Sequence, residues 1–127
     1  MILSDIMAHR IVTTAVGYLD TSYDGDEFNC VHFVRKVFVD VGIMFPKLVK
    51  ELDPPKDFHL SAEEFCQMPI GHSVFFKKKT SQLTRSWTHV AFIISPNHLI
   101  HCSRWIGKVA ITPKEEFLET YFLSPKT

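Results

Sequence analysis

Three side chains in this 127-residue chain could act together as nucleophile, base and orienting group: Cys30, His89 and His101. Cys30 follows Asn29, and Val31, Phe33, Val34, Val37 and Phe38 then recur at helical spacing. Asn29 can cap that helix, because its side-chain oxygen can accept from the unpaired N–H groups of the first turn. The thiol then sits at the positive end of a helix dipole, which favours the thiolate. The plainer reading of a cysteine on an apolar helix is a small packed hydrophobe. The two histidines argue for more. A thiolate can attack a carbonyl while one imidazole takes and returns the proton and a second group fixes the tautomer of the first.

Both histidines lie in strand-like runs. Trp87 to Ser95 and His98 to Ser103 read as consecutive strands joined at Pro96-Asn97. If Ser95-Pro96-Asn97 is the loop, Ile94 pairs with His98 and His89 faces Ser103. His101 is then the diagonal neighbour of His89 on the same face, ~7–8 Å away at Cα. A two-residue loop would reverse the parity and send the rings to opposite faces, so the pair requires an odd loop or a bulge.

The elements that would hold these residues follow from the same patterns. Ser4 to Leu19 reads as a first helix, capped by Ser4, with a stripe of Ile6, Met7, Ile11, Val12, Ala15 and Val16. A turn-rich connection, Asp20 to Glu27, leads to the Cys30 helix, which ends near Gly42. Ile43 to Leu60 is a proline-broken connector, and Ser61-Ala62-Glu63-Glu64 looks like a capping box for a short helix through Gln67. Ser73 to Lys77 and Lys108 to Thr112 are the remaining strands. Pro113 is expected to open a last helix running through Phe122. Helices first and an antiparallel meander after them make the class α+β, in a single domain over residues 1–127.

Composition narrows the function. Hydrophobic residues are 46% and aromatics 13%, including eleven phenylalanines, so the chain can build an aromatic-rich core. Formal net charge is zero, which asks for neither nucleic acid nor an anionic membrane as partner. The run Lys77-Lys78-Lys79 reads as a solvated loop. Cys30, Cys66 and Cys102 have no metal-finger spacing, and their odd number argues against a disulfide framework. The N-terminus shows no basic-then-apolar leader, and no apolar run approaches transmembrane length. The expectation is therefore synthesis in the cytoplasm, no membrane insertion, and any export by a signal-independent route.

The chain resembles the NlpC-type papain-like cysteine peptidases, which cut peptides of bacterial cell walls. The resemblance rests on four stretches in family order. Asn29-Cys30-Val31-His32 stands for the family's Asp-Cys-Ser-Gly, and Ile70-Gly71-His72-Ser73-Val74-Phe75-Phe76 for its Pro-Gly-Asp-Leu-Val-Phe-Phe. His89-Val90-Ala91-Phe92-Ile93 stands for His-Val-Gly-Ile-Tyr, and Leu99-Ile100-His101-Cys102-Ser103 for Phe-Ile-His-Ala-Ser. The resemblance implies a papain-like fold, with the Cys30 helix packed on an antiparallel sheet of about four to six strands. It implies Cys30 as nucleophile, His89 as general base and His101 as orienting residue. Tyr23, or Tyr18, would help hold the oxyanion, with the Cys30 N–H as the other natural donor. Trp87 and Trp105 flank the histidine strands as candidate walls of a substrate groove. The implied reaction is amide hydrolysis in peptidoglycan stem peptides, with no cofactor. An immunity or delivery protein is the open partner. This chain departs from the family at Val31, His32, His72 and Cys102.

Three rivals stand beside this reading. Asn29-Cys30-Val31-His32-Phe33-Val34 also resembles the Asn-Cys-Glu-His-Phe-Val of lecithin:retinol-acyltransferase-type enzymes, which place the histidine before the cysteine. A zinc site could be written from Cys30, His89, His101 and Cys102, but neighbours 101 and 102 of one strand point to opposite faces. The fold could also serve as a catalytically inert binding module.

Overall fold

A computed structural model describes residues 4–43, 65, 67–78 and 89–123. The capping box at Ser61–Glu64, Cys66, Lys79 and Trp87 lie outside the described residues. Helices α1 (Asp5–Val16) and α2 (Cys30–Asp40) come first. Strands β1 (Ser73–Lys78), β2 (His89–Ser95), β3 (His98–Ser103) and β4 (Lys108–Pro113) follow, then helix α3 (Lys114–Thr120) and strand β5 (Tyr121–Leu123). The strands form one antiparallel sheet in the order β4-β3-β2-β1-β5. The α+β expectation of helices packed on an antiparallel sheet holds.

Strand alternation divides the core in two. On one face Val90, Phe92, Ile100, Cys102 and Val109 meet Val31, Phe33, Val34, Val37 and Phe38 of α2 and Ile11 and Ala15 of α1. Phe92 takes both Phe33 and Phe38 edge-on, with ring centroids 5.9 and 5.3 Å away. Such contacts each add ~0.5–1.5 kcal/mol beyond area burial. On the other face Val74, Ala91, Ile93 and Leu99 pack with Phe65 and with Phe117 of α3.

Four expectations need correction. Lys77 and Lys78, expected in a loop, belong to β1, because they pair with β5. The buried face of α1 is Ala8, Ile11 and Ala15, whereas Ile6 is 77% exposed and Val16 38%. Ile6 lies too far around the 3.6-residue turn to share the face of Ala8 and Ile11. The last helix begins at Lys114, not Pro113, which closes β4. Tyr121 and Phe122, expected as helix, are strand, because β5 fills the hydrogen-bonding edge of β1 through Phe76↔Leu123, Lys77↔Phe122 and Lys78↔Tyr121.

The hairpin that carries the histidines also differs in detail. Its loop is Pro96-Asn97, closed by Ser95↔His98, and a bulge between Ile93 and Ser95 inserts one extra residue on β2. Beyond it the register is Ile93↔Leu99 and Phe92↔Ile100. This is the register that a three-residue loop would have produced, so the bulge restores the parity a two-residue loop would have lost. The registered β2–β3 pairs end at Phe92↔Ile100, short of His89.

Gly71 fixes where α1 meets the sheet. It holds φ +84°, and an added Cβ would lie 2.9 Å from Ala8 Cα. Its N–H donates to Ile93 O at 2.7 Å. Gly71→Ala is therefore expected to cost about 2–4 kcal/mol, from strain plus a backbone clash. Gly42→Ala, with φ +83° and open space around it, should cost only about 1 kcal/mol. Urea denaturation of the two variants checks this, and equal losses would contradict the packing argument.

Candidate active site

The cysteine helix is built as its residues dictate. Asn29 Oδ1 accepts from the N–H groups of Val31 and His32, each at 3.0 Å. His32 Nδ1 accepts in return from the Asn29 N–H at 3.3 Å, completing a capping box with an imidazole in the place usually taken by Glu or Gln. This gives His32, a departure from the family pattern, a local structural task. At the far end Gly42 N–H donates to Val39 O at 3.0 Å and Ile43 N–H to Phe38 O at 2.8 Å, the double closure of a Schellman motif. Cys30 is thus held in the first turn of a helix tied at both ends.

Cys30 is half-buried and packs against the core cluster on the α2 side of the sheet. Cys102 belongs to that cluster, fully buried, with its thiol directed at Phe28 O at 3.7 Å. Burial pushes the Cys102 thiol up to about 11, and the neighbouring Cys30 charge adds to the shift. Cys102 is therefore a packed, unreactive thiol at neutral pH.

His89 and His101 are brought together. His89 Nε2 and His101 Nδ1 are 2.8 Å apart, the rings nearly perpendicular at 85°. His101 Nε2 lies 2.9 Å from Thr112 Oγ1, so three side chains from three adjacent strands form one chain of hydrogen bonds. Phe117 closes over the pair, stacked on His89 at 5.9 Å and edge-on to His101 at 4.7 Å. Burial, and then the adjoining His101, push His89 down to about 3. Burial alone pushes His101 down to about 4. Both rings are neutral at pH 7, each with one nitrogen able to accept a proton.

By alternation the two rings occupy the Ala91–Ile93–Phe117 side of the sheet, while Cys102 occupies the α2 side. His101 and Cys102 therefore leave β3 on opposite faces, as expected. Among the described residues no group of three His, Cys, Asp or Glu converges to hold a metal ion. No described helix is long and apolar enough to cross a membrane.

The remaining candidates are spread around this centre. The loop before Cys30 runs beside β4, with Ser22 bridging to Lys108 and Tyr23 N–H donating to Gly107 O at 2.8 Å. Tyr23 packs against the same cluster as Cys30. Tyr18 is not an oxyanion donor here. Its hydroxyl donates to Asp40 at the opposite end of α2, ~15 Å along the helix from Cys30. Burial, with that carboxylate, pushes it up to about 12. Trp105 is 74% exposed on the β3–β4 turn and lines a cavity of about 150 Å³ together with His101, Ser103, Thr112, Glu116 and Phe117. Nothing in the sequence alone marks Thr112 or Phe117 as part of this site. Thr112 pairs with Leu99, which shares the face of His101, so the β3–β4 register was the signal that could have found it.

Solved structures share this arrangement of elements. A protein similar to a lipoprotein of the NLP/P60 family, from Staphylococcus aureus, superposes with a TM-score of 0.71 at 18% identity, over 99% of this chain and 43% of its own. NlpC2 from Trichomonas vaginalis gives 0.73 at 15% identity, over 99% and 48%. The NlpC/p60 domain of the peptidoglycan hydrolase SagA gives 0.64 at 20% identity, over 94% and 98%. The chain has the NlpC/P60 fold. It spans less than half the length of the first two proteins, and nearly the whole of the SagA domain. No family model matches the chain, and no curated protein matches it by sequence. The NlpC/P60 likeness is thus one of backbone architecture, and residue roles rest on this chain's own chemistry.

Proposed function

We propose that the chain is a cysteine hydrolase that cleaves amide bonds in peptidoglycan stem peptides. The observation that carries the reading is the buried His89–His101 contact at 2.8 Å, in a fold shared with the NlpC/p60 domain of a peptidoglycan hydrolase. Cys30 is the nucleophile, His89 the general base and His101 the group that orients it. His89 Nδ1, the nitrogen that His101 does not engage, takes the thiol proton. Cys30 lies at the tip of its helix and His89 at the tip of β2, beyond the last registered β2–β3 pair. The mechanism requires the sulfur and the ring to meet around that end of the ladder.

The course is that of an acyl-enzyme. His89 takes the thiol proton as sulfur bonds to the amide carbon. The electron pair of the C=O moves to oxygen, and the Cys30 N–H and Tyr23 stabilise that oxyanion. The C–N bond then breaks, with the amine taking the proton from His89. Water, deprotonated by the same ring, releases the acid and regenerates the thiol. Trp105, on the rim of the cavity beside His101, offers a wall for the peptide, and Trp87 is the second candidate for that role. Such a substrate places the work at the cell wall, reached by export or with the help of a delivery protein.

Digestion of purified peptidoglycan by the chain and by Cys30→Ala, followed by mass analysis of the fragments, tests this. Fragments with new amine ends from the unaltered chain alone are expected. Equal digestion by both proteins would overturn the mechanism, and fragments from neither would overturn the substrate.

A further inference from the structure

We infer that Thr112 is a positioning residue that selects the tautomer of His101 and thereby sets the His89 proton on Nε2 rather than on Nδ1. This rests on the catalytic reading above for its consequence in turnover, but not for its geometry. Thr112 Oγ1 is 2.9 Å from His101 Nε2, and His101 Nδ1 is 2.8 Å from His89 Nε2. Each contact holds one proton, so the direction of one fixes the direction of the next.

Two arrangements satisfy the chain. If Thr112 accepts, His101 carries its proton on Nε2 and presents a bare Nδ1. His89 then carries its proton on Nε2, and its Nδ1 holds a lone pair able to take a thiol proton. If Thr112 donates instead, His101 carries its proton on Nδ1 and gives it to His89 Nε2. His89 must then keep its own proton on Nδ1, where it cannot serve as base. Only the first arrangement is productive.

The surroundings favour the first. Thr112 is buried to 8% exposure, yet it lines the cavity of about 150 Å³ that also holds Ser103 and Glu116. That volume admits water, with hydroxyl and carboxylate partners to hold it. The Thr112 hydroxyl can direct its own proton into the cavity while its oxygen accepts from His101. A hydroxyl is needed for this, and the acceptor must sit on β4, diagonal to His101 across the Leu99↔Thr112 and His101↔Ala110 register. Phe117, in contact with both rings, limits their rotation, so a change of proton position rather than of ring position is the available response.

Thr112→Val keeps the shape and removes the acceptor, and Thr112→Ser keeps the acceptor. The test is nitrogen NMR of histidine-labelled full chain at pH 7, alongside turnover on peptidoglycan. His101 is expected to be protonated at Nε2 in the unaltered chain and in Thr112→Ser, and at Nδ1 in Thr112→Val. Turnover should fall about 10–100-fold in kcat for the valine variant with KM unchanged, and return with serine. Unchanged protonation sites and unchanged kcat in Thr112→Val would overturn the inference. A protonation switch in a chain that hydrolyses nothing would uphold the role of Thr112 and overturn the catalytic reading instead. If the valine variant fails to fold, an unaltered chain or serine variant with His101 protonated at Nδ1 still overturns it.

Discussion

Replacing His89 by alanine is expected to lower the hydrolysis rate by about 10⁴-fold, and adding Cys30→Ala to that variant should lower it little further. The two groups act as one unit in the proposed step. A thiol without its base, or a base without its thiol, leaves only what binding and oxyanion contacts contribute, so losses at such a pair are strongly non-additive. His101→Ala should cost less, because the ring it orients remains present. His89 is 7% exposed and contacts both His101 and Phe117, so the alanine variant also loses packing. Thermal unfolding of the variant separates the two effects. A folded protein with an intact rate would contradict the assignment of His89 as base.

Acidification from pH 6.5 to about pH 4 is expected to destabilise the fold steeply. Burial pushes His89 down to about 3 and His101 down to about 4, while both titrate near 6.5 in an unfolded chain. Within that window the unfolded state binds protons that the folded state does not, so stability falls as pH falls. Each imidazole contributes a slope of roughly 1.4 kcal/mol per pH unit in mid-window. Two such rings remove several kcal/mol, a large share of the ~5–15 kcal/mol that holds a domain of this size together. Only from about one pH unit above 6.5 are both rings neutral in either state and the contribution flat. Urea midpoints measured at pH 7, 6, 5 and 4.5 should fall, most steeply below pH 6, and His101→Gln should halve the slope. A flat profile across the window would contradict neutral burial of the pair.

Much of this arrangement is legible in the residues alone. Ser4 and Asn29 announce helix starts because a short side-chain oxygen has a definite partner in the first turn. The apolar spacing of α2 and the runs of β2 and β3 locate the cysteine and histidine elements to within a residue or two. The rest depends on long-range choices. Ile94 is chemically no different from Ile93, so nothing local marks where the bulge falls. Tyr121 and Phe122 suit a helix end as well as a strand, and only the open edge of β1 decides. Both faces of β2 are apolar, with Val90 and Phe92 on one and Ala91 and Ile93 on the other. The pattern therefore does not reveal which face receives α2 and which receives the imidazoles. Thr112 became visible only once the β3–β4 register was known.

The central claim is that the Cys30 sulfur and the His89 ring act on one proton. The most direct measurement is the rate at which Cys30 alone, resolved from the other thiols by peptide mapping, is alkylated by iodoacetamide at pH 7. It is compared between the unaltered chain and a folded His89→Ala variant. Cys30 is expected to be modified at least tenfold more slowly once the imidazole is gone, with the buried Cys102 unreactive in both. Equal rates at Cys30 in the two proteins would show that the ring does not activate the thiol, and the proposed mechanism would fall.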